Sequence, residues 1–435
     1  MKFDDLGLSP ETLKAVKECG YEEATPIQAK AIPLIQMTRD VVGLAQTGTG
    51  KTASFTLPMI DALSGGRAKM RMPRSLVLAP TRELAAQVAE NFETYGKYHK
   101  LSKVLLVGGT SMGDQVKLLE KGVDVLIATP GRLLDLFDRG AILLNDIQIL
   151  VIDEADRMMD MGFIPDIEKI VSLLPPMRQT LLFSATMPPE IKKLTTKFLS
   201  NPKEISVTPA ASPAVTVEQF LVHTHPKDKE GVLLKLLKDE NVENAFVFLN
   251  RKRDVDVLGK FLKNKGFPAA AMHGDMPQAK RTETLEAFKT GAIDILVCSD
   301  VAARGIDVKN VSHVFNYDVP MSADDYIHRI GRTGRAGAKG RAWMLATQRD
   351  EKFLSAIEKL LKKPLDIVDF KEKKCGKKKV LDKPSRAHPK ETASKKTPQK
   401  EPSKSRKNYS HNRNNDAVDQ DDVSGFGDDV PAFFK

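Results

Sequence analysis

Val41-Val42-Gly43-Leu44-Ala45-Gln46-Thr47-Gly48-Thr49-Gly50-Lys51-Thr52 is the stretch around which the chain is organised. Its first four residues are apolar, its middle is punctuated by glycine, and an amphipathic run follows from Ala53. That order reads as strand, loop, helix. Gly48 and Gly50 tolerate backbone angles that other residues resist, so such a loop can fold its N–H groups around an anion. The helix that follows aims its positive N-terminal end at the same point. Ala45, Gln46, Thr47, Gly48, Thr49 and Gly50 form the cradle. Lys51 adds a mobile charge for β and γ phosphates, and Thr52 offers a hydroxyl to a magnesium ion. The strict pattern for this loop has glycine at position 45, where this chain has Ala45.

A chain of 435 residues points to two or three domains. No apolar run approaches the roughly 20 residues that a membrane-spanning helix needs. Cys19, Cys298 and Cys375 are few and far apart, which argues for a reducing compartment and against a disulfide framework or zinc site. The N-terminus lacks the pattern of a signal peptide, and the expectation is a cytoplasmic protein. The net charge of +10 is unevenly spread. Residues 371–413 carry 16 Lys/Arg against 4 Asp/Glu, residues 414–435 are acidic at −5, and the rest of the chain holds only +3. A polycationic tail is drawn to phosphate backbones without reading sequence.

From 40 to 207, short apolar runs alternate with helical ones. Strands are expected at 41–45, 75–79, 104–107, 124–128, 149–153, 180–183 and 204–207. Solidly apolar strands suit a parallel sheet covered on both faces. Residues 208–215, with two prolines and no charge, read as a linker. The alternation resumes with strands near 217–223, 245–249, 269–272, 293–298, 312–316 and 341–346. This is an α/β chain of two doubly wound units with a cleft between them. After about residue 370 apolar residues nearly vanish, and a disordered tail is expected, basic and then acidic. Its end, Gly425 to Phe434, sets three phenylalanines in an acidic frame, a candidate docking motif for a protein partner.

Ile149 to Ile152 runs straight into Asp153-Glu154-Ala155-Asp156. Ligands of open α/β sheets bind beyond the carboxyl ends of the strands. Asp153 is thus suited to hold the magnesium ion, and Glu154 to orient and deprotonate an attacking water. An acidic helix cap is the competing reading; the phosphate loop in the same domain decides against it.

These four residues spell the signature of the DEAD-box RNA helicases, and the chain resembles that family over about residues 1–365. Gly20-Tyr21 and Thr25-Pro26-Ile27-Gln28 are similar to its Q motif, with Phe3 at the place of the isolated upstream aromatic. Then follow Ala45 to Thr52, Pro80-Thr81-Arg82-Glu83-Leu84, Gly108-Gly109, Thr129-Pro130-Gly131-Arg132, Asp153 to Asp156 and Ser184-Ala185-Thr186. The second unit carries Val247 to Asn250, Gln278 with Arg281, Ser299 to Asp307, and His328 to Arg335. Tyr21 stands where Phe is usual, and Ser299 where Thr is usual. The minimal N-terminus and short basic tail resemble bacterial RhlE-type members.

The resemblance implies two tandem RecA-like domains: a Q-motif region at 1–29, an ATP-binding domain at 30–207, and a C-terminal helicase domain at 216–370. It implies ATP and magnesium as cofactors, RNA as partner and a monomeric core. Gln28 has donor and acceptor on one amide, matching the adenine N6/N7 edge and favouring ATP over GTP. Tyr21 and Glu23 would border the nucleotide, and Asp307 its ribose. Arg332 and Arg335 would be fingers reaching the γ-phosphate from the second lobe. Such a finger is worth about 10³–10⁵ in rate. The run Arg329, Arg332, Arg335 favours phosphate contact over a structural arginine face, since it has no negative partners nearby in sequence.

On the RNA side, Gly108-Gly109 permits close backbone approach. Arg82 and Arg132 offer charge, and Thr81 and Thr129 offer hydroxyls to phosphate oxygens. No aromatic is interleaved with them, which favours backbone contact over base stacking. The resemblance adds Pro80, Gly131, Asn250, Arg251, Gln278, Arg281, Ser299 and Asp300 to the RNA face. It assigns Ser184, Thr186, Asp156 and His328 to coupling hydrolysis with unwinding. His273 reads as structural. The expected activity is local unwinding of short duplexes without sequence preference; an ATP-gated RNA clamp or a remodelling scaffold is the alternative. Removal of residues 371–435 is expected to weaken RNA affinity and flatten its salt dependence while sparing basal ATPase, read by filter binding across a salt series. An unchanged affinity would overturn the role given to the tail.

Overall fold

Two seven-stranded sheets, parallel throughout, organise the chain in a computed structural model. It describes residues 1–46, 48–66, 71–207, 217–303, 308, 311–334 and 340–368. The first sheet comprises β1 (Val41–Leu44), β2 (Ser75–Leu78), β3 (Lys103–Leu106), β4 (Val125–Ala128), β5 (Ile149–Ile152), β6 (Gln179–Ser184) and β7 (Lys203–Ser206), in the order β3-β4-β2-β5-β6-β1-β7. Its helices are α1 (Pro10–Glu18), α2 (Pro26–Gln36), α3 (Lys51–Leu63), α4 (Arg82–Tyr95), α5 (Met112–Glu120), α6 (Pro130–Asp138), α7 (Ala155–Asp160), α8 (Ile164–Ser172) and α9 (Pro189–Phe198).

The second sheet comprises β8 (Val217–His223), β9 (Ala245–Leu249), β10 (Ala269–Met272), β11 (Ile295–Ser299), β12 (His313–Asn316), β13 (Gly340–Ala346) and β14 (Asp366–Ile367), in the order β10-β11-β9-β12-β13-β8-β14. With it come α10 (Lys229–Asp239), α11 (Lys252–Asn264), α12 (Gln278–Lys289), α13 (Asp300–Ala303), α14 (Ala323–Ile330) and α15 (Glu351–Leu361). The expected strands form within a residue or two of their anticipated ends, and β14 is an addition. With two residues, β14 is too short for any periodicity to announce it. The tail from 369, the linker 208–215, Thr47, Asp307 and Arg335 lie outside the described residues.

Each sheet is buried on both faces, as its strand sequences require. In β2, Leu76 and Leu78 pack into one core, while Val77 packs into the core on the opposite face. The second sheet repeats this: Phe246 and Phe248 of β9 face one core, and Ala245, Val247 and Leu249 the other.

The register sets the functional edge. Leu44 pairs with Ser184, and Ile152 pairs with Leu182, so β6 lies between β1 and β5. The phosphate loop, Asp153 and Ser184 therefore leave the sheet side by side. In the second sheet Leu249 pairs with Ser299, and Phe248 with Asn316, which brings Asn250, Asp300 and the segment before α14 to one edge. Local chemistry starts the helices at these edges. Thr81 caps α4 by accepting a bond from the Leu84 N–H at 3.3 Å, and Thr129 precedes α6 with Pro130 in its first turn.

Gly43 has no side chain because Phe183 occupies the space. A Cβ there would lie 2.5 Å from Phe183 Cε1. Phe183 is fully buried and packs on Phe55 with ring centroids 5.3 Å apart. Gly43→Ala is expected to destabilise the fold by about 1–3 kcal/mol through overpacking. The measurement is the midpoint of urea unfolding; an unchanged midpoint would mean that the ring swings aside.

Candidate nucleotide and nucleic-acid sites

A cleft of about 570 Å³ lies beyond the carboxyl edge of the first sheet. Gly48, Gly50, Lys51 and Thr52 line it together with Gln28, Tyr21, Glu23, Asp153 and Glu154. Gly50 holds φ at 89°, and a Cβ there would strike the Gln28 amide, so both conformation and space demand glycine. Ala45 is buried, with its N–H donating to the Ser184 carbonyl at 3.0 Å, and Thr49 Oγ1 donates to the Gln46 carbonyl at 2.7 Å. The loop is thus fixed from both ends.

Gln28 is 5% exposed and bridges two local groups. Its Oε1 accepts from the Thr25 N–H at 2.9 Å, and its Nε2 donates to the Gly50 carbonyl at 3.2 Å. An amide has two donors and room for two acceptors. These bonds use one of each and pin the side chain to the loop that it serves. Tyr21 stacks on buried Phe3 at 6.4 Å, and its hydroxyl lies 3.3 Å from that of Tyr95. Both rings line the cleft.

The acidic end of the cleft is built of buried charged side chains. Lys51 and Glu154 are buried, and Lys51 Nζ and Glu154 Oε2 each lack a hydrogen-bond partner. Burial pushes the Asp153 carboxyl up to about 7; Lys51 opposes this, and the neighbouring charges of Glu154 and Asp156 add to it. Glu154 has φ 52°, a left-handed value that costs a non-glycine residue about 1–3 kcal/mol. Asp156 holds the next strand's loop: its Oδ2 accepts from the N–H groups of Ala185 and Thr186, at 3.0 and 2.9 Å, and from Thr186 Oγ1 at 3.1 Å. Ser184 Oγ accepts from the Asp156 N–H and donates to the Thr186 carbonyl.

A second groove, about 460 Å³, is lined by Pro80, Thr81, Arg82, Gly108, Thr129, Gly131 and Arg132 of the first lobe and by Arg281 of the second. Gly109 has φ 80° and lies beneath Arg82, where a Cβ would meet the guanidinium. Arg132 donates to Gln115 Oε1 at 2.9 Å. Met161 and Phe163 also line the groove. The sequence held no aromatic among the basic motifs, yet the fold brings one there from the turn between α7 and α8.

Polar contacts join the lobes. Arg82 Nη1 donates to Gln278 Oε1 at 3.2 Å, and Gln278 Nε2 donates to Glu83 Oε1 at 3.2 Å. Glu83 also pairs with Arg281 at 2.9 Å, with both side chains about 93% buried. Arg157 Nη2 meets His328 Nδ1 at 2.8 Å.

The arginine run that begins at Arg329 in the last turn of α14 is not one phosphate-facing set. Arg329 is 1% exposed and forms a bidentate pair with Asp300 at 2.6 and 2.7 Å. It also donates to Asn250 Oδ1 and to the Asp318 carbonyl, both at 2.7 Å. Arg329 is therefore a structural post, contrary to the expectation of phosphate contact. Asn250 and Asp300, expected on the RNA face, give these side-chain oxygens to it instead. Arg332 donates from Nε to the His328 carbonyl at 3.3 Å and borders one narrow space with Arg157. Arg251 is exposed at the start of α11, and Ser299 ends β11. His273, read as structural, is buried with Nε2 2.9 Å from Asp256.

Residues 25–194 match the DEAD/DEAH box helicase family, and residues 228–337 match the helicase conserved C-terminal domain. The chain is 44% identical over 364 residues to the DEAD-box ATP-dependent RNA helicase CshA of Bacillus subtilis, covering 84% of this chain and 73% of that protein. The chain belongs to the DEAD-box ATP-dependent RNA helicase family. Among solved structures, Saccharomyces cerevisiae Dbp5 bound to RNA and ADP BeF3 matches this helicase with a TM-score of 0.76 at 32% identity, covering 85% of this chain and 95% of that one. Mss116p bound to ssRNA and AMP-PNP matches with a TM-score of 0.76 at 28% identity, covering 85% and 80%. The bacterial relative named here is a CshA helicase, so the finer likeness to RhlE-type members rests on the sequence of the tail and N-terminal stretch alone.

Three residues of this helicase escaped the sequence reading: Glu83, Arg157 and Phe163. Glu83 sits inside a recognised motif, but its partner is 198 positions away, between Arg281 and itself. Arg281→Met would leave the Glu83 carboxylate buried without its cation in the closed form, a loss worth about 3–5 kcal/mol for a broken buried pair. The expected result is at least tenfold weaker retention of RNA in the presence of a non-hydrolysable ATP analogue, read by fluorescence anisotropy. Unaltered retention would show that the pair does not support closure.

Proposed function

We propose that this helicase binds ATP in the first cleft and the RNA backbone in the second groove, and that closure of its lobes completes both sites at once. The observation that carries this reading is the polar seam just described: Arg82, Glu83, Gln278 and Arg281 join the lobes beside the RNA groove, while Arg157 and His328 join them beside Glu154. The domain division into 1–29, 30–207, 216–370 and the tail belongs to the same proposal, as does a cytoplasmic location.

In this reading Gly48, Gly50 and Lys51 hold the phosphates, with Lys51 Nζ supplying the unpaired buried cation that a polyanion needs. Glu154 takes the proton of the attacking water. Arg332, with Arg335, stabilises charge developing on the γ-phosphate. Asp153 and Thr52 would hold magnesium. Asp153 fits that role as a buried carboxyl whose charged form burial disfavours and a neighbouring cation, like Lys51, favours. Among the described residues no group of three acidic, His or Cys side chains is placed to hold a metal ion by itself. Magnesium suits such a site, because it takes its remaining oxygens from phosphate and water. Bound there, the ion neutralises phosphate charge and orients the leaving group.

Thr81, Arg82, Thr129 and Arg132 meet phosphate oxygens, and Gly108 and Gly131 admit the strand closely. Asp156 links the two chemistries, since this carboxylate two residues after the catalytic base fixes Ala185 and Thr186. Bending of one strand on closure separates a short duplex, and hydrolysis reopens the lobes.

Glu154→Gln is expected to keep ATP binding while RNA-stimulated turnover falls by at least a hundredfold, about 2.7 kcal/mol of barrier. A coupled ATPase assay beside a fluorescent-nucleotide titration measures both. Turnover within threefold of the unaltered protein would sink the assignment. Strand displacement on a short duplex in the same preparation separates unwinding from an ATP-gated clamp, which would retain RNA without displacing it.

A further inference from the structure

Arg157 occupies the third position after Glu154, in the first turn of α7, and is 2% exposed. Its guanidinium faces two ways. Nε lies 3.3 Å from Glu154 Oε2, and Nη2 lies 2.8 Å from His328 Nδ1, which α14 brings from the second lobe. Arg157 Nη1 and Glu154 Oε2 are both buried without a hydrogen-bond partner. The approach to Glu154 is thus an ion pair without a directed hydrogen bond. Arginine only donates, so His328 accepts at Nδ1 and carries its proton on Nε2.

We propose that Arg157 is a positioning residue that reads lobe closure through His328 and thereby sets Glu154 free to act on water; this rests on Glu154 being the base. The guanidinium fork is rigid and has five N–H groups. When the lobes are apart, His328 is gone and Glu154 is the anion within reach of the fork. A buried guanidinium left with a buried carboxylate turns both prongs to it. A carboxylate held in that way is a poor base, since its lone pairs are engaged. When the lobes close, His328 takes one prong. The fork then stands off Glu154, whose Oε2 is left without a hydrogen bond and open to a water. Hydrolysis becomes dependent on closure through one side chain. A lysine has the charge but no fork, and cannot hold two partners in fixed directions.

The test is a double-mutant cycle on RNA-saturated and RNA-free ATP hydrolysis, using Arg157→Met, His328→Phe and their combination, with Glu154→Gln as reference. His328→Phe is expected to lower kcat about tenfold with the KM for ATP within about twofold, Arg157→Met to raise the RNA-free rate about tenfold because Glu154 is no longer held, and the double variant to recover most of the loss seen in His328→Phe. Arg157→Lys should behave like Arg157→Met, and it carries the same cycle if Arg157→Met does not fold. A double variant as slow as His328→Phe, or an RNA-free rate that Arg157→Met leaves where it was, would overturn the proposal, as would a lysine variant that keeps hydrolysis dependent on RNA. If Glu154→Gln abolishes turnover while the cycle is additive, only the role of Arg157 falls. If Glu154→Gln remains active, the base assignment fails first.

Discussion

Parallel pairing of β6 between β1 and β5 constrains everything else in this helicase. The phosphate loop leaves β1, Asp153 leaves β5 and Ser184 ends β6, so three motifs distant in sequence emerge at adjacent points of one sheet edge. Only a parallel sheet puts the carboxyl ends of successive strands on the same side, and only burial of both faces holds it there. Asp156 then converts adjacency into linkage. One carboxylate oxygen gathers three donors from Ala185 and Thr186, so the loop after β6 cannot shift without disturbing the acidic turn after β5.

The charged groups at this edge are buried, and burial sets their chemistry. Lys51, Asp153, Glu154, Asp156 and Arg157 are all buried within it. A buried charge is tolerable when it is paired or when its ligand is present. Asp156 has its pairing inside the protein. Lys51 lacks it, and Asp153 is pushed toward its neutral form. This contrast separates groups that hold the site from groups that await something. Glu154 adds backbone strain to that picture, as a non-glycine residue in a left-handed turn, which is where functional side chains are often found.

Much of this was readable before any coordinates. The strands announced themselves because each is buried on both faces and therefore solidly apolar. The phosphate loop did so because its chemistry is local. What escaped depends on contacts between distant residues. Arg329 looked free to meet phosphate because its partners Asp300 and Asn250 lie 29 and 79 positions earlier. Glu83 and Arg157 gain their meaning from partners on the other lobe, Gln278 at 195 positions and His328 at 171. Phe163 reaches the groove through the turn at Gly162, whose φ of 76° is invisible in composition. Periodicity reports which face of an element is buried, but not what a polar side chain meets there.

The polar character of the seam between lobes follows from what a gated enzyme needs. An apolar joint of similar size would gain from burial at every closure and keep the lobes shut. Arg82, Glu83, Gln278, Arg281 and His328 can meet water when the lobes part, so closing them exchanges water for one another at little net gain. The equilibrium between open and closed then lies within reach of ligands. ATP and RNA can shift it only by as much as they prefer the closed form, and a joint near balance lets that preference decide. An arginine such as Arg157 suits that joint, because its charge stays buried in the first lobe while its second partner comes and goes.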